Sequence, residues 1–259
     1  VKPRTEKSKK EQADRIRDKA EVFTPSWICN KQNNLVDNAW FGTDFVFNEE
    51  TEKTWISTTE PIVFPTATGK TWQDYINDVR LEITCGEAPY LVSRYDTVSG
   101  YMIELSQRIG LLDRKLRVVS ENTQTEKEWL KWAIKSFQNI YGYDWQGDNV
   151  LLARENLLFT FIDYYKAKFV KEPDIDILKK IAEILSWNIW QMDGLKFVIP
   201  ESCKEVEEGQ LTLFDMNTEK QPCPGCAKND PYAHTRVYCI IKDWKATKKV
   251  TFVSLLKKD

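Results

Sequence analysis

Strand-like and helix-like segments alternate between residues 81 and 199, and this alternation limits the fold more than any other feature of the chain. The strand-like apolar runs are 81–85, 140–143 and 189–192. We expect helices between and around these runs, over about 101–109, 126–139, 149–169 and 174–186. The pattern is typical of an α/β fold, in which helices cover a parallel sheet. Such sheets bind ligands at the carboxyl ends of their strands, so we look for functional residues there.

Length and composition indicate a soluble globular protein. The chain has 259 residues, of which 42% are hydrophobic, enough for one large α/β domain or a medium domain with an appendage. We divide it into a charged lead-in (1–20), a main domain (21–200) and a C-terminal segment (201–259). No apolar run approaches the roughly 20 residues of a membrane-spanning helix, and the first residues are charged. We therefore expect a cytoplasmic protein without a membrane partner.

Positive charge is concentrated at both ends. Residues 1–19 contain eight Lys/Arg and four Asp/Glu, and residues 242–259 contain six and two. Basic ends can neutralise nucleic-acid phosphates, which predicts DNA as a partner. The alternative is that lysine-rich termini are simply solvated, and residues 1–20 are then a solvated helix or a disordered segment.

The cysteines indicate a metal site and not a disulfide framework, because a cytosolic protein keeps its thiols reduced. Cys223, Cys226, His234 and Cys239 present three sulfurs and the chain's single histidine at knuckle-like spacing, sufficient for a closed tetrahedral zinc site of structural type. The remaining cysteines, Cys29, Cys85 and Cys203, are scattered and are interpreted as ordinary thiols. The alternative is a reduced loop with unrelated cysteines.

Three polar features follow the predicted strands in order. Gly86 comes after the first strand, Asp144 after the second and Asp193 after the third. A glycine lets the backbone approach a nucleoside cofactor closely, and a carboxylate accepts hydrogen bonds from ribose hydroxyls. In a generic Rossmann-like domain, the alternative, Gly86 is a tight turn, Asp144 a helix cap and Asp193 a turn residue.

Residues 82–91, Glu-Ile-Thr-Cys-Gly-Glu-Ala-Pro-Tyr-Leu, resemble the cofactor loop of adenine-N6 DNA methyltransferases, Asp/Glu-Pro-Ala-Cys-Gly-Ser/Glu-Gly-x-Phe-Leu. The direct matches are Glu82, Cys85, Gly86 and Leu91, and Tyr90 is a conservative one. Ala88 replaces the second glycine. An alanine there predicts a negative φ.

Other segments resemble the same family in the same order. Residues 21–25 are similar to its Gly-Glu-Phe-Thr-Pro element, 141–157 to its Gly-x-Glu/Asp strand end and Ala-Arg-x-Asn-Leu helix, and 188–195 to its Gly-Asp-x-Leu element. The resemblance implies a Rossmann-like methyltransferase fold that binds S-adenosylmethionine. It places Phe23, Thr24 and Pro25 over the methionine end of the cofactor, Asp144 on the ribose and Asp193 on the adenine amino group. Thr24 also suits an N-cap and Pro25 a first helical residue, which predicts a helix over 25–36.

The family's catalytic tetrapeptide, Asn/Asp-Pro-Pro-Tyr/Phe, does not occur in the sequence. It binds the amino group and stacks on the flipped base. The nearest string is residues 229–232, in which Asn229, Pro231 and Tyr232 are candidate catalytic residues; a polar loop is the alternative. The resemblance thus implies a restriction-modification methyltransferase or modification subunit that depends on a second chain for the catalytic loop or target recognition. The alternative is a non-catalytic cofactor-binding or DNA-binding accessory protein, and methylation of RNA or protein is a third possibility.

Overall fold

The computed structural model describes residues 1–208 and 219–256, which form a mixed α/β structure. The helices are α1 (Lys9–Lys19), α2 (Ser26–Phe41), α3 (Trp72–Asn77), α4 (Leu111–Asn122), α5 (Glu126–Gln138), α6 (Gly147–Phe169), α7 (Ile175–Asn188) and α8 (Pro224–Lys228). The strands are β1 (Asn48–Glu50), β2 (Trp55–Ser57), β3 (Arg80–Ile83), β4 (Ile140–Asp144), β5 (Ile189–Gln191), β6 (Val206–Glu208), β7 (Glu219–Gln221), β8 (Ile240–Asp243) and β9 (Lys248–Thr251).

A parallel sheet of β3, β4 and β5, in that spatial order, is the centre of the structure, so the predicted parallel sheet is confirmed. Leu81 is paired with Tyr141, and Gly142 with Ile189. Helices α4 and α5 connect the first two strands, and α6 and α7 connect the last two. Two neighbouring parallel strands need a long crossover connection of this kind. Both crossovers join adjacent strands, and with the usual right hand they place their helices on the same face of the sheet.

The two faces of the sheet are covered differently. Ile140 and Ile189 point into the main core, which the apolar sides of α4 to α7 complete. Tyr143 and Trp190 point the other way, into a smaller cluster with Ile241 of β8. The C-terminal segment therefore packs directly on the sheet face that the helices leave open.

The helix predictions hold where the apolar period is regular, and they are wrong around residues 101–122. A helix was expected over 101–109, but only a single 3-10 turn forms there, at Leu105–Gln107. The following helix, α4, carries the consecutive charged residues Asp113, Arg114 and Lys115, all fully buried. Those charges interrupt the apolar pattern by which a helix is recognised in sequence.

Buried polar contacts attach α2 to the rest of the domain. Asp37 receives a 2.6 Å hydrogen bond from Arg114, and both side chains are almost completely buried. Asn33 donates to the carbonyl oxygens of Tyr90 (2.9 Å) and Ile109 (3.0 Å). Because Tyr90 belongs to the loop after β3, these bonds hold that loop in place.

Within residues 1–208 and 219–256, no helix has both the length and the apolar character needed to cross a bilayer.

Candidate functional site

A cleft of about 480 Å³ lies at the carboxyl ends of β3 and β4. Three residues from distant parts of the chain line it, namely Phe23, Gly86 and Asp144. They are three of the nine residues that the sequence assigned to the cofactor. Its other walls come from residues 19–22, from Thr84, and from Trp145, Gln146 and Asn149 around the start of α6. A volume in this range is typical of sites that enclose a small molecule.

The loop after β3 has an unusual backbone. Thr84, Gly86 and Ala88 all have positive φ, at 48°, 54° and 65°. The prediction that Ala88 has a negative φ is therefore wrong. The Ala88 N–H donates to the Cys85 carbonyl at 2.7 Å, and its own carbonyl accepts from Leu91 and Val92, so a hydrogen-bonded turn holds the residue in the left-handed region. Such conformations are costly and persist where the surroundings enforce them, often at functional sites.

The carboxylate of Asp144, at the end of β4, connects this strand to the loop after β3 by hydrogen bonds. One carboxylate oxygen accepts from the Gly86 N–H (2.8 Å), and the other accepts from the Gln146 N–H (2.7 Å) and, at 3.4 Å, from the Asn149 amide. A carboxylate offers about four lone-pair positions, so the oxygen facing Gly86 can accept one more donor from the cleft. Burial raises the pKa of Asp144 against the lowering effect of these hydrogen bonds.

The N-terminal helix α1 closes one side of the cleft. Arg15 pairs with Glu21 (2.5 Å) and with Asp148 (2.7 Å), and so links α1 to the start of α6. Burial opposes ionisation of Glu21, but the hydrogen bonds from Arg15 and Asn149 outweigh it and lower its pKa. A capping box formed by Ser8 and Glu11 starts the helix, which buries no side chain.

Three further predicted cofactor residues, Glu82, Cys85 and Tyr90, belong to the end of β3 and the loop after it and help to hold that loop. Glu82 is buried and accepts from the N–H groups of Tyr90 (3.4 Å) and Leu91 (3.2 Å), and burial raises its pKa well above the ordinary range. Cys85 is buried against Gly142, whose missing side chain leaves room for its sulfur. Tyr90 is half-buried next to Asn33. None of these three side chains is part of the cleft wall.

The other predicted cofactor residues lie at two turns that do not line the cleft. Thr24 and Pro25 precede α2, which begins at Ser26; the Pro25 carbonyl accepts the first helical bonds, and no side-chain cap forms, so the predicted N-cap role of Thr24 is wrong. Asp193 is buried just after β5, where its carboxylate accepts from the N–H groups of Leu195 (2.9 Å) and Lys196 (3.1 Å).

A second candidate site lies in the C-terminal segment. Cys203, Cys223, Cys226 and His234 place their ligand atoms within 4.8 Å of one another, and this Cys3His group can hold a metal ion such as zinc. The three sulfurs lie 3.5, 3.6 and 3.8 Å from the histidine Nδ1. Zinc bonds of about 2.3 Å to sulfur and about 2.0–2.1 Å to nitrogen give a tetrahedral S–N edge of about 3.5 Å, so the spacing fits.

The predicted fourth ligand, Cys239, is replaced by Cys203. Cys239 instead packs in the small apolar cluster with Trp190, and its thiol donates to the Gln191 carbonyl at 3.3 Å. The pairing of β6 with β7, in which Val206 faces Gln221, folds the chain back and brings Cys203 beside the Cys223 loop. The other three predicted ligands belong to the group as expected.

The loop around His234 has little spare room. A side chain on Gly225 would come within 2.6 Å of the His234 Nδ1, so only glycine fits there. The His234 N–H donates to the Tyr238 hydroxyl at 2.9 Å. Burial raises the pKa of the Cys223 thiol, but the N–H groups of Thr235 and Cys226 outweigh that effect and lower the pKa to about 5. Zinc binds thiolates, so Cys223 is a suitable ligand.

The catalytic candidates lie on this metal loop. Asn229 ends α8 with a positive φ of 51°, the Pro231 carbonyl accepts from the Tyr238 hydroxyl at 2.9 Å, and Tyr232 is partly exposed. None of the three lines the cleft that contains Gly86 and Asp144.

Comparison with models of protein families, with curated proteins and with solved structures finds nothing that matches this chain.

Sequence reasoning missed several residues of the two sites. Glu21, Trp145 and Asn149 contribute to the cleft, and each is adjacent or close to a residue that the sequence did single out. That proximity was the available signal. For Cys203 the only signal was that this cysteine precedes Cys223 closely enough for one pair of strands to bring the two together.

Proposed function

We propose that the chain binds S-adenosylmethionine in the cleft formed by Phe23, Gly86 and Asp144, as the cofactor-binding part of an adenine-N6 DNA modification system. The observation that carries the proposal is the convergence of these three residues. The sequence resemblance selected them from separate segments, and they meet in one cleft. A Rossmann-like methyltransferase fold, of which the three parallel strands are the first half, is part of the same proposal.

The residues present fit the cofactor. Asp144 keeps a free acceptor position for a ribose hydroxyl. Phe23 approaches Gly86 closely, with one ring carbon 3.6 Å from the position of a would-be side chain, and offers an aromatic wall. Glu21 and Asp144 give the cleft wall two carboxylates against the single ammonium group of Lys19, and this balance suits a cofactor with a sulfonium and an ammonium charge. When bound, the cofactor supplies the methyl group, and this chain's residues hold and orient it.

Methyl transfer needs a group that this sequence does not contain. Because no Asn/Asp-Pro-Pro-Tyr/Phe tetrapeptide occurs, we propose that a second subunit of a restriction-modification system supplies the catalytic loop, target recognition or both. The position of residues 229–232 on the metal loop, outside the cleft wall, favours this arrangement over catalysis by Tyr232. The same observation supports the second candidate function, a non-catalytic cofactor-binding or DNA-binding accessory protein.

The remaining parts of the proposal concern the metal, the nucleic acid and the compartment. We assign zinc, in a structural role, to the Cys3His group, because four protein ligands leave no open position. The lysines of β8 and β9 and the basic first residues are the surfaces that would contact DNA phosphates. Reduced cysteines throughout the described chain agree with a cytoplasmic protein.

Titration calorimetry of the purified chain with S-adenosylmethionine tests the cofactor claim. We expect saturable binding with one site per chain. Absence of heat up to millimolar cofactor would refute it. Transfer of a radiolabelled methyl group to unmethylated DNA then separates the two functions: an accessory protein transfers none alone, and a modification subunit transfers methyl groups once its partner is added.

A further inference from the structure

The strand β3 has only one partner among the described residues. Its Arg80 N–H donates to the Asn139 carbonyl on the β4 side (2.9 Å). Backbone groups alternate in direction along a strand, so the N–H groups of Leu81 and Ile83 point away from β4. β3 is thus an open edge of the sheet.

This edge lacks the features that usually prevent strand pairing. Natural edge strands carry a proline, a bulge or an outward charge. The side chains of Leu81 and Ile83 do not belong to the main core and are 43% and 62% exposed. Val79, just before the strand, is 61% exposed. Arg80 is turned inward and paired with Asp37 and Asp78. An apolar, unprotected edge of this kind is a template for another strand.

An apolar groove continues from the edge across the sheet face that the helices do not cover. It has a volume of about 610 Å³ and lies between β3 and the β8–β9 hairpin. Its apolar wall includes Val79, Leu81, Tyr141, Trp190, Phe252 and Leu255. The exposed edge and the groove therefore form one continuous surface.

The charge at the groove selects between two kinds of occupant. Lys135 and Lys245 line it, and neither has an ion-pair partner among the residues described. The one carboxylate in the lining, Asp243, accepts from the backbone N–H groups of Lys245 (3.0 Å) and Ala246 (2.8 Å). A second copy of this chain would bring lysines against lysines, whereas an acidic partner complements them.

We propose that the open edge of β3 and this groove are the docking surface for a second polypeptide, which adds a strand parallel to β3 and lays an apolar, acid-flanked helix in the groove. Three strands in sequence order form one half of a doubly wound sheet. In the complete sheet the fourth strand lies beside the first, and its helix covers the opposite face. The ligand crevice of such sheets forms at that junction, which here is next to Gly86.

Site-specific photo-cross-linking in the cells that carry the gene tests the surface. p-Benzoylphenylalanine is placed in the full chain at position 81, at position 83, or at the control position of Leu195, which is 89% exposed on another turn. We expect one protein other than this chain to cross-link from positions 81 and 83 and not from 195. Its sequence should contain a strand followed by an acid-flanked amphipathic helix.

The purified complex provides the second measurement. Hydrogen exchange of the Leu81 and Ile83 amides should slow by about tenfold or more in the complex, since both amides gain strand partners. Leu81→Asp should weaken the complex by about tenfold or more, and the matched Leu195→Asp should not. Cross-linking to a second copy of this chain, equal cross-linking from Leu195, or none from either edge position would each overturn the proposal. Cofactor titration of the chain alone is a separate measurement, so the two proposals can fail independently.

Discussion

The cleft and the Cys3His group are built in opposite ways. The cleft joins residues as far apart as Phe23, Gly86 and Asp144, and the main core of the domain holds their strands and helices in place. The Cys3His group takes its ligands from 203–234, and its geometry depends on the pairing of β6 with β7 and on Gly225. We infer that the protein's own contacts form the cleft without a bound ion, whereas the C-terminal group depends on a bound ion for its stability.

The largest expected effect comes from breaking the metal group. Cys203→Ser should lower the zinc content of the purified chain from about one ion to near zero, because a structural zinc site needs four protein ligands and a serine does not replace the lost thiolate. Cys239→Ser is the matched control and should keep its zinc, since that thiol lies in the apolar cluster. Elemental analysis measures both.

Hydrogen exchange sharpens the same comparison. After zinc is removed by a chelator, residues 219–239 should exchange faster while the α4–α7 core stays protected. Collapse of the whole domain on chelation would show that the two regions do not differ as we infer. Equal zinc in both cysteine variants would refute the four-ligand assignment.

The next effect is on cofactor binding. Asp144→Asn should weaken S-adenosylmethionine binding by about 10- to 100-fold, because hydrogen bonds to charged groups contribute about 1.5–3 kcal/mol. Asp176→Asn, on the exposed side of α7, changes the net charge equally and should leave the affinity unchanged. Calorimetry at matched salt measures the ratio; equal affinities for the two variants would place the cofactor elsewhere.

A smaller effect concerns the ion pairs of Arg15, which hold α1 at one side of the cleft. Glu21 has a lowered pKa when paired with Arg15, so the pairing stabilises the folded state above the ordinary value of 4.5 and is lost as the pH falls below it. We expect the protection factors of the α1 amides, which are corrected for the pH dependence of intrinsic exchange, to fall below about pH 4.5. Arg15→Ala should cost about 1–2 kcal/mol locally at neutral pH and remove most of the pH dependence. An unchanged acid response in that variant would assign it to other carboxylates.

The sequence predicted which residues lie together in the two sites better than it predicted the local backbone and the full set of ligands. Gly86 and Asp144 could be placed together because the carboxyl ends of neighbouring parallel strands meet at one edge of a sheet. The metal ligands Cys223, Cys226 and His234 could be predicted because they lie within one short loop. In the first case the pairing of neighbouring parallel strands fixes the proximity in space, and in the second case the short spacing along the chain does so.

The rest depends on tertiary structure that spacing does not contain. Cys203 joins the metal group only through the register of β6 and β7. The positive φ of Ala88 is imposed by the turn bond to Cys85 and by Glu82, which holds the Leu91 N–H from below. The identity of Cys203 does not reveal the register in which two strands pair. The identity of Ala88 does not reveal that a buried carboxylate holds its loop.

The smallest prediction uses that strained loop. Thr84 is exposed with a φ of 48°, a conformation that costs a residue with a side chain about 1–2 kcal/mol and costs glycine very little. Thr84→Gly should therefore raise the free energy of unfolding by about 0.5–1 kcal/mol after the added flexibility of the unfolded chain is counted. Thr59→Gly, at an exposed residue without a positive φ, should lower it by a similar amount, again through the flexibility of the unfolded chain. Urea unfolding of both variants measures the difference, and a loss of stability in Thr84→Gly would mean that the cleft loop is not strained at this residue.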